Sequence, residues 1–557
     1  MRENSPAAST AAKAPAAGGP RAVRPATEKP AKATQPRRKA AVAGFAASAL
    51  VLVGAGAVVV AGSLLPATQT NHNLAAVAAA VPAGTAVGVC PGPARLVTGT
   101  EAGTDPQFSP ESATATSTVT GLVLGAAGAV PASELARLDG STIVEVAKEP
   151  AAAASGNAAS NALAAAIVPG RQVDQVSVLA AKPLANQTAS AAAATKFTAT
   201  DGDLRGLAAA NCQQPSNDQW LAGASTTVGR ASVLNLTNAS TTPATVSLEL
   251  FGSAGEIQAP GSRGLLVAPG ATRSVVLAGL APSEEQLSVR VRSAGGPVAA
   301  VIQQSVLRGL TPGGVDFITP GAAPSTRQVM TGIDIQDAAA VNALIRRSGF
   351  QDAGPALELT VPGPSDAVVE ISVFGRDGKK VLPSGGVVTA KAGTVTSVSL
   401  AGVPAGQYTV AASSDVSFVA TTRLSRGVDA DQPTDAAWAA SGIRLGSQHV
   451  VPVPRGGVRQ LVFGVLDGRA TITYAAVTAD GKVKAPASAD IAGGTTAAIG
   501  IPEQADGSDV VGYVVSASGD AAYGAVLLQR SGANDVSSLT LPPAAAGQES
   551  VAVALGY

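Results

Sequence analysis

Aromatic residues make up only 3% of this 557-residue chain, which holds two histidines, two cysteines, two tryptophans and two methionines. Each shortage excludes something. A Ser-His-Asp or Cys-His arrangement would have to use His72 or His449. Neither lies in a nucleophile motif, and neither Gly-x-Ser-x-Gly nor His-Glu-x-x-His occurs. There is no phosphate loop and no Gly-x-Gly-x-x-Gly after a strand. Two thiols far apart, without clustered histidine, make a poor metal site, so no metal and no cofactor are expected. Asp201-Gly202-Asp203 lacks the remaining ligands of a calcium loop and reads as a turn. Glycan-active sites usually present aromatic platforms, which are scarce here. A paired-carboxylate site, however, leaves no signature in sequence, because its separation is spatial. A glycan-active enzyme therefore stays an alternative, behind a non-enzymatic role.

The net charge is zero, but it is unevenly spread. Residues 1–39 hold nine Lys/Arg against two acids, giving +7, so the rest of the chain is −7. An acidic body argues against nucleic-acid binding, which needs clustered positive charge. The tail is rich in Ala, Pro and Thr with almost no large apolar side chain, and it reads as disordered and cytoplasmic.

The chain is rich in small residues. Hydrophobic residues are 46%, mostly Ala, Val and Leu, beside 62 Gly and 37 Pro. Such a composition suits short strands joined by many turns. The length suggests three or four domains.

Residues 40–65 carry no charge and begin directly after Arg37-Arg38-Lys39. About 20 apolar residues cross a bilayer as a helix. The basic flank stays cytoplasmic by the positive-inside rule. We expect a single transmembrane helix at 40–65, a linker at 66–85, and an exported remainder. A cleaved signal peptide is the competing interpretation, although its apolar core is usually 7–15 residues.

Beyond the linker, three stretches share a pattern. Alternating strands open at Ala244–Leu250, Val369–Val373 and Ile472–Ala476, followed by turns at Gly255-Glu256, Asp377-Gly378 and Asp480-Gly481. Gly270, Gly393 and Gly494 each precede apolar residues at offsets of five and seven. Two apolar strands around a polar turn then close each unit, and Arg308, Arg426 or Arg530 ends the last. Units of this size and strand number predict tandem immunoglobulin-like β-sandwiches, standing in a row. We place them at 218–320, 321–434 and 435–545, with a short tail at 546–557. The second carries an insertion at 325–354, with a short helix at Asp334–Arg347. Residues 86–217 read as a divergent first β domain, whose Ala-rich stretches at 151–166 and 189–194 read as helix or loop. Trp220, Phe317 and Trp438 recur near the junctions as gap-filling side chains, with sugar stacking as the alternative.

Cys90 opens the first domain and Cys212 ends it. First and last strands often lie together in a sandwich, and an exported compartment permits a disulfide. Closing so long a loop stabilises by roughly 4–5 kcal/mol in the chain-entropy account.

The basic tail, the single span, Cys90-Pro-Gly-Pro, the Cys212…Asp218-Gln-Trp220 junction and the repeats resemble a family of uncharacterised actinobacterial envelope proteins. The resemblance implies topology and source, and no activity. We therefore expect a membrane-anchored, extracytoplasmic, non-enzymatic protein that binds or scaffolds envelope proteins or cell-wall glycan. An accessory subunit of an envelope glycosyltransferase or polymer exporter is the other alternative.

Overall fold

The protein is described from a computed structural model, covering residues 77–80, 82–96, 112–125, 129–149, 163–545 and 550–553. The tail at 1–39, the span at 40–65 and His72 lie outside these residues. Among the described residues, no helix is long and apolar enough to cross a membrane.

The described chain is mainly β. Alternation makes the strands where it was legible. Ala244–Phe251 buries every second side chain, as does Ala367–Gly375. The turns follow: Gly252 N–H donates to the Gly255 carbonyl at 2.9 Å, and Gly375 pairs with Gly378. Gly270, Gly393 and Gly494 all sit near φ +70°, where a non-glycine residue is strained, and each opens the next strand.

The second sandwich sets the topology. Its strands, in chain order, hold positions A (Asp218–Ala224), B (Arg230–Asn238), C (Ala244–Phe251) and D (Glu256–Ile257 with Leu265–Val267), then E (Ala271–Val276), F (Leu287–Gly295), G (Ala299–Arg308) and H (Thr311–Ile318). One sheet runs A-F-C-D and the other E-B-G-H, and they enclose an apolar core that includes Leu234, Leu250, Leu277, Val289 and Ile302. The same order recurs at residues 86–211, 325–440 and 449–540. There are thus four sandwiches of one topology. It is not the immunoglobulin order, in which F and G pair within one sheet. Here F and G lie in opposite sheets. The polar turn between them is therefore an arch from one sheet to the other. In the third sandwich F and G are one strand, Gly406–Arg426, pairing first with Ala367–Gly375 and then with Ala356–Thr360.

Four expectations need correction. Asp435–Ala440 does not open the fourth sandwich: it pairs with Thr421–Arg426 as strand H of the third, and the fourth begins at His449–Pro452. The insertion is shorter than 325–354, because Ser325–Ile335 is strand A of the third sandwich. Its helix is Ala338–Ile345, capped by the Asp337 side chain accepting from Ala340 N–H at 2.9 Å. The described Ala-rich stretches are strands, Ala164–Gln172 and Ser190–Ala199.

The last strand of each sandwich explains the largest departure. The four H strands are Gly206–Asn211, Thr311–Ile318, Asp435–Ala440 and Val536–Thr540. They meet around one axis, so the sandwiches close into a ring, not a row. The first packs on the second through Ala94, Phe197, Val301, Val315 and Phe317. The second meets the third through Trp220, Phe251, Val395 and Val419. Thr496 Oγ1 donates to Phe374 O at 2.7 Å between third and fourth. The ring closes where Ala164 of the first sandwich bridges to Lys482 of the fourth, with Ala165 N–H donating to Gly481 O at 3.1 Å. Strands G and H are therefore covered on both faces and buried along most of their length.

Candidate functional site

Among the described residues, the axis of the ring is where residues from all four sandwiches converge. Each H strand is the edge of its sheet, so its outer N–H groups have no strand to pair with. Buried N–H groups must find acceptors. Two aspartates supply them. Asp435, fully buried, accepts from Leu207, Val315 and Val536 N–H of the other three sandwiches, and from its neighbour Ala436, all at 3.0–3.2 Å. Asp316 accepts from Ala209 N–H, Trp438 N–H and Ser537 Oγ at 2.9–3.2 Å. Strand H of the second sandwich comes so close that a Cβ at Gly314 (φ +115°) would lie 2.2 Å from the Asp435 carboxylate. Burial pushes Asp316 up to about 8 against its hydrogen bonds. Burial, then the nearby Asp535 carboxylate, holds Asp435 well above the usual range.

At the opposite end from the inter-sandwich linkers, the G–H turns of the first, third and fourth sandwiches line an open cavity of about 440 Å³. Three arginines from three sandwiches line it: Arg205, Arg426 and Arg530. Two of these are the strand-ending arginines of the repeat, and Arg205 lies in the G–H turn of the first sandwich. Arg530 pairs with Asp535 at 2.5 Å, Arg205 reaches the same carboxylate at only 3.8 Å, and Arg426 donates to Asp334 at 2.8 Å. Burial raises Asp334 and Asp535, while those arginines pull them down.

The third repeat arginine goes elsewhere. Arg308 and Arg230 grip Asp352, with Arg308 Nη1 at 2.5 Å and Arg230 Nε at 2.8 Å, and Arg308 stacks over Phe350. Burial would raise Asp352, but Arg308 and Arg230 outweigh it and the carboxyl is lowered. These residues line a cleft of about 780 Å³ between the second and third sandwiches. The insertion supplies Asp352, so the cleft's arginines are held as a structural clamp.

The residues singled out in sequence have plain places. Cys90 and Cys212 are disulfide-bonded and tie the A and H edges of the first sandwich together near the axis. His449 is buried, its Nε2 accepting from Gly446 N–H at 2.7 Å while Nδ1 meets Pro542 O at 2.8 Å. Asp201 is held below the usual carboxylate range by Ser112, then Thr114, on the segment leading into Thr116–Gly125. Trp220, Phe317 and Trp438 are buried at sandwich contacts, which makes them packing residues. Among the described residues no group of three His, Cys, Asp or Glu is placed to hold a metal. Sequence inspection missed Asp316 and Asp435, because an acid before an apolar run reads as a strand boundary. The strand-end arginines were visible as a repeat, but their convergence was not.

No curated protein and no solved structure matches the chain. One family model does, a family of unknown function (DUF5719), over residues 167–502. The match begins in strand E of the first sandwich and ends just after strand E of the fourth. It takes in Arg205, Asp316, Arg426 and Asp435, and covers more than half of the chain; the protein belongs to the DUF5719 family.

Proposed function

We propose that the protein is a non-enzymatic ring of sandwiches tethered to the membrane by residues 40–65, held outside the cytoplasm of an actinobacterial cell, where it binds or scaffolds envelope components. The hub carries this proposal. Its buried carboxylates, the groups best suited to acid–base chemistry, are committed to main-chain N–H groups of neighbouring sandwiches. Chemistry there would break the ring. The Cys90–Cys212 bond supports an oxidising compartment.

Two measurements test this. Leu310 is 96% exposed, so Leu310→Cys in intact cells is expected to react with a membrane-impermeant maleimide. Ala7→Cys in the basic tail is expected to react only after permeabilisation. The reverse pattern would overturn the topology. In-cell cross-linking of the full-length protein is then expected to capture envelope proteins or wall glycan. Recovery of neither would remove the scaffolding role.

A further inference from the structure

The geometry points to the axial cavity as a binding site for a phosphate group, held by Arg205, Arg426 and Arg530. The inference stands on the cavity alone and does not depend on the tether or the compartment.

Three guanidinium groups reach the cavity from three different sandwiches. Each is incompletely paired. The Arg205 guanidinium makes only the 3.8 Å contact with Asp535. Arg205 Nη1, Arg426 Nε and Arg530 Nε are buried donors without partners. A buried donor without an acceptor costs roughly 1–3 kcal/mol, so a ligand that supplies oxygen atoms is favoured here. The acids facing the site are Asp334, which accepts from Arg426 at 2.8 Å, and Asp535, which is ion-paired with Arg530 while neither of its oxygens accepts a hydrogen bond.

The surroundings add positive charge. Arg459 of the fourth sandwich is almost fully buried and is held by two carbonyls, Val510 O and Pro502 O, with no carboxylate in hydrogen-bonding contact. Lys196 donates to Arg455 O at 2.6 Å. Burial, then Arg459 and Arg530, makes the Lys196 ammonium easier to deprotonate, and the carboxylates of Glu503 and Asp509 act on Arg459 without a hydrogen bond. A phosphate dianion answers this better than a carboxylate does. It has two charges, and its oxygens point in several directions, matching donors that arrive from separate walls. Asn534 and Gln432 line the same cavity and offer neutral donors. The volume of about 440 Å³ exceeds a bare phosphate, leaving room for an attached group. Free inorganic phosphate and the phosphomonoester end of a larger molecule share this chemistry.

Calorimetric titration of the full-length protein in detergent tests the inference. The probes are inorganic phosphate, glycerol 3-phosphate and, as a planar monoanion, acetate. Saturable one-to-one binding of phosphate or glycerol 3-phosphate, with acetate at least about tenfold weaker, is expected. Tighter glycerol 3-phosphate identifies an ester ligand, and equal affinities identify the free ion; either supports the site. Arg205→Ala is expected to weaken binding at least about tenfold. Ser531 is exposed on the cavity rim, so Ser531→Glu adds a repelling charge without touching the hub, and is expected to do the same. No saturable binding by the unaltered protein, or binding unchanged in both variants, would overturn the inference.

Discussion

Strands C and strands H of the same sandwiches follow opposite rules. Strand C of the third sandwich, Ala367–Gly375, buries alternate residues and leaves Val368 and Glu370 outside. Strand H, Asp435–Ala440, buries all six. Strand C has a core on one side and water on the other. Strand H has its own core on one side and three neighbouring sandwiches at its other face and edge. A two-sided strand cannot show alternation, and a crowded axis admits Ala and Gly more readily than large side chains.

The same contrast ranks the consequences of substitution. Asp435→Ala is expected to have the largest effect. It leaves four buried N–H groups without an acceptor, at roughly 1–3 kcal/mol each before relaxation. Chemical denaturation of the protein is expected to show a loss of about 4 kcal/mol or more, or a failure to fold. Loss of less than about 1 kcal/mol would mean the hub is not closed around this residue.

Cys90→Ser together with Cys212→Ser comes next, with an expected loss of about 2–5 kcal/mol in the same measurement. The bond joins the edges of the first sandwich, so the loss sharpens the comparison if the first and fourth sandwiches loosen before the second and third, read by hydrogen exchange.

The pH dependence follows from Asp316. Its folded value of about 8 lies above its ordinary 3.8. Stability from this group is fully present below about pH 4 and is lost as pH rises through about 8. The slope approaches about 1.4 kcal/mol per pH unit between those limits. The melting temperature is expected to fall from pH 5 to pH 9, and Asp316→Asn is expected to flatten that fall. Glu370→Ala on strand C is the smallest effect. Its carboxylate is largely exposed and 3.7 Å from Lys379, and such a pair contributes roughly 0–1 kcal/mol. A change comparable with Asp435→Ala would erase the distinction between the two strands.

How much of this was legible in sequence follows from the same division. The C strands, their Asp-Gly turns and the glycines near φ +70° were readable, because each is fixed by residues within one sandwich. The disulfide was readable from its place at the two ends of a unit. The Ala-rich strands were not, since Ala164–Gln172 and Ser190–Ala199 take their strand state from pairing on either side of Thr116–Gly125, remote in sequence, which overrides local propensity. Asp435 was assigned to the wrong unit, because its partners are Leu207, Val315 and Val536, remote in sequence. The arginines appeared as a periodic residue, whereas their meeting depends on ring closure.

Ring closure is the central claim, and one pair of residues tests it most directly. Ala164 of the first sandwich and Lys482 of the fourth face each other in an antiparallel bridge. Such pairs lie within disulfide reach. Ala164→Cys with Lys482→Cys is expected to form an intramolecular disulfide in the folded full-length protein, insensitive to dilution, while Ala164→Cys with Lys379→Cys is not. A folded protein that forms no bond between positions 164 and 482 would contradict the ring and restore the row of separate sandwiches.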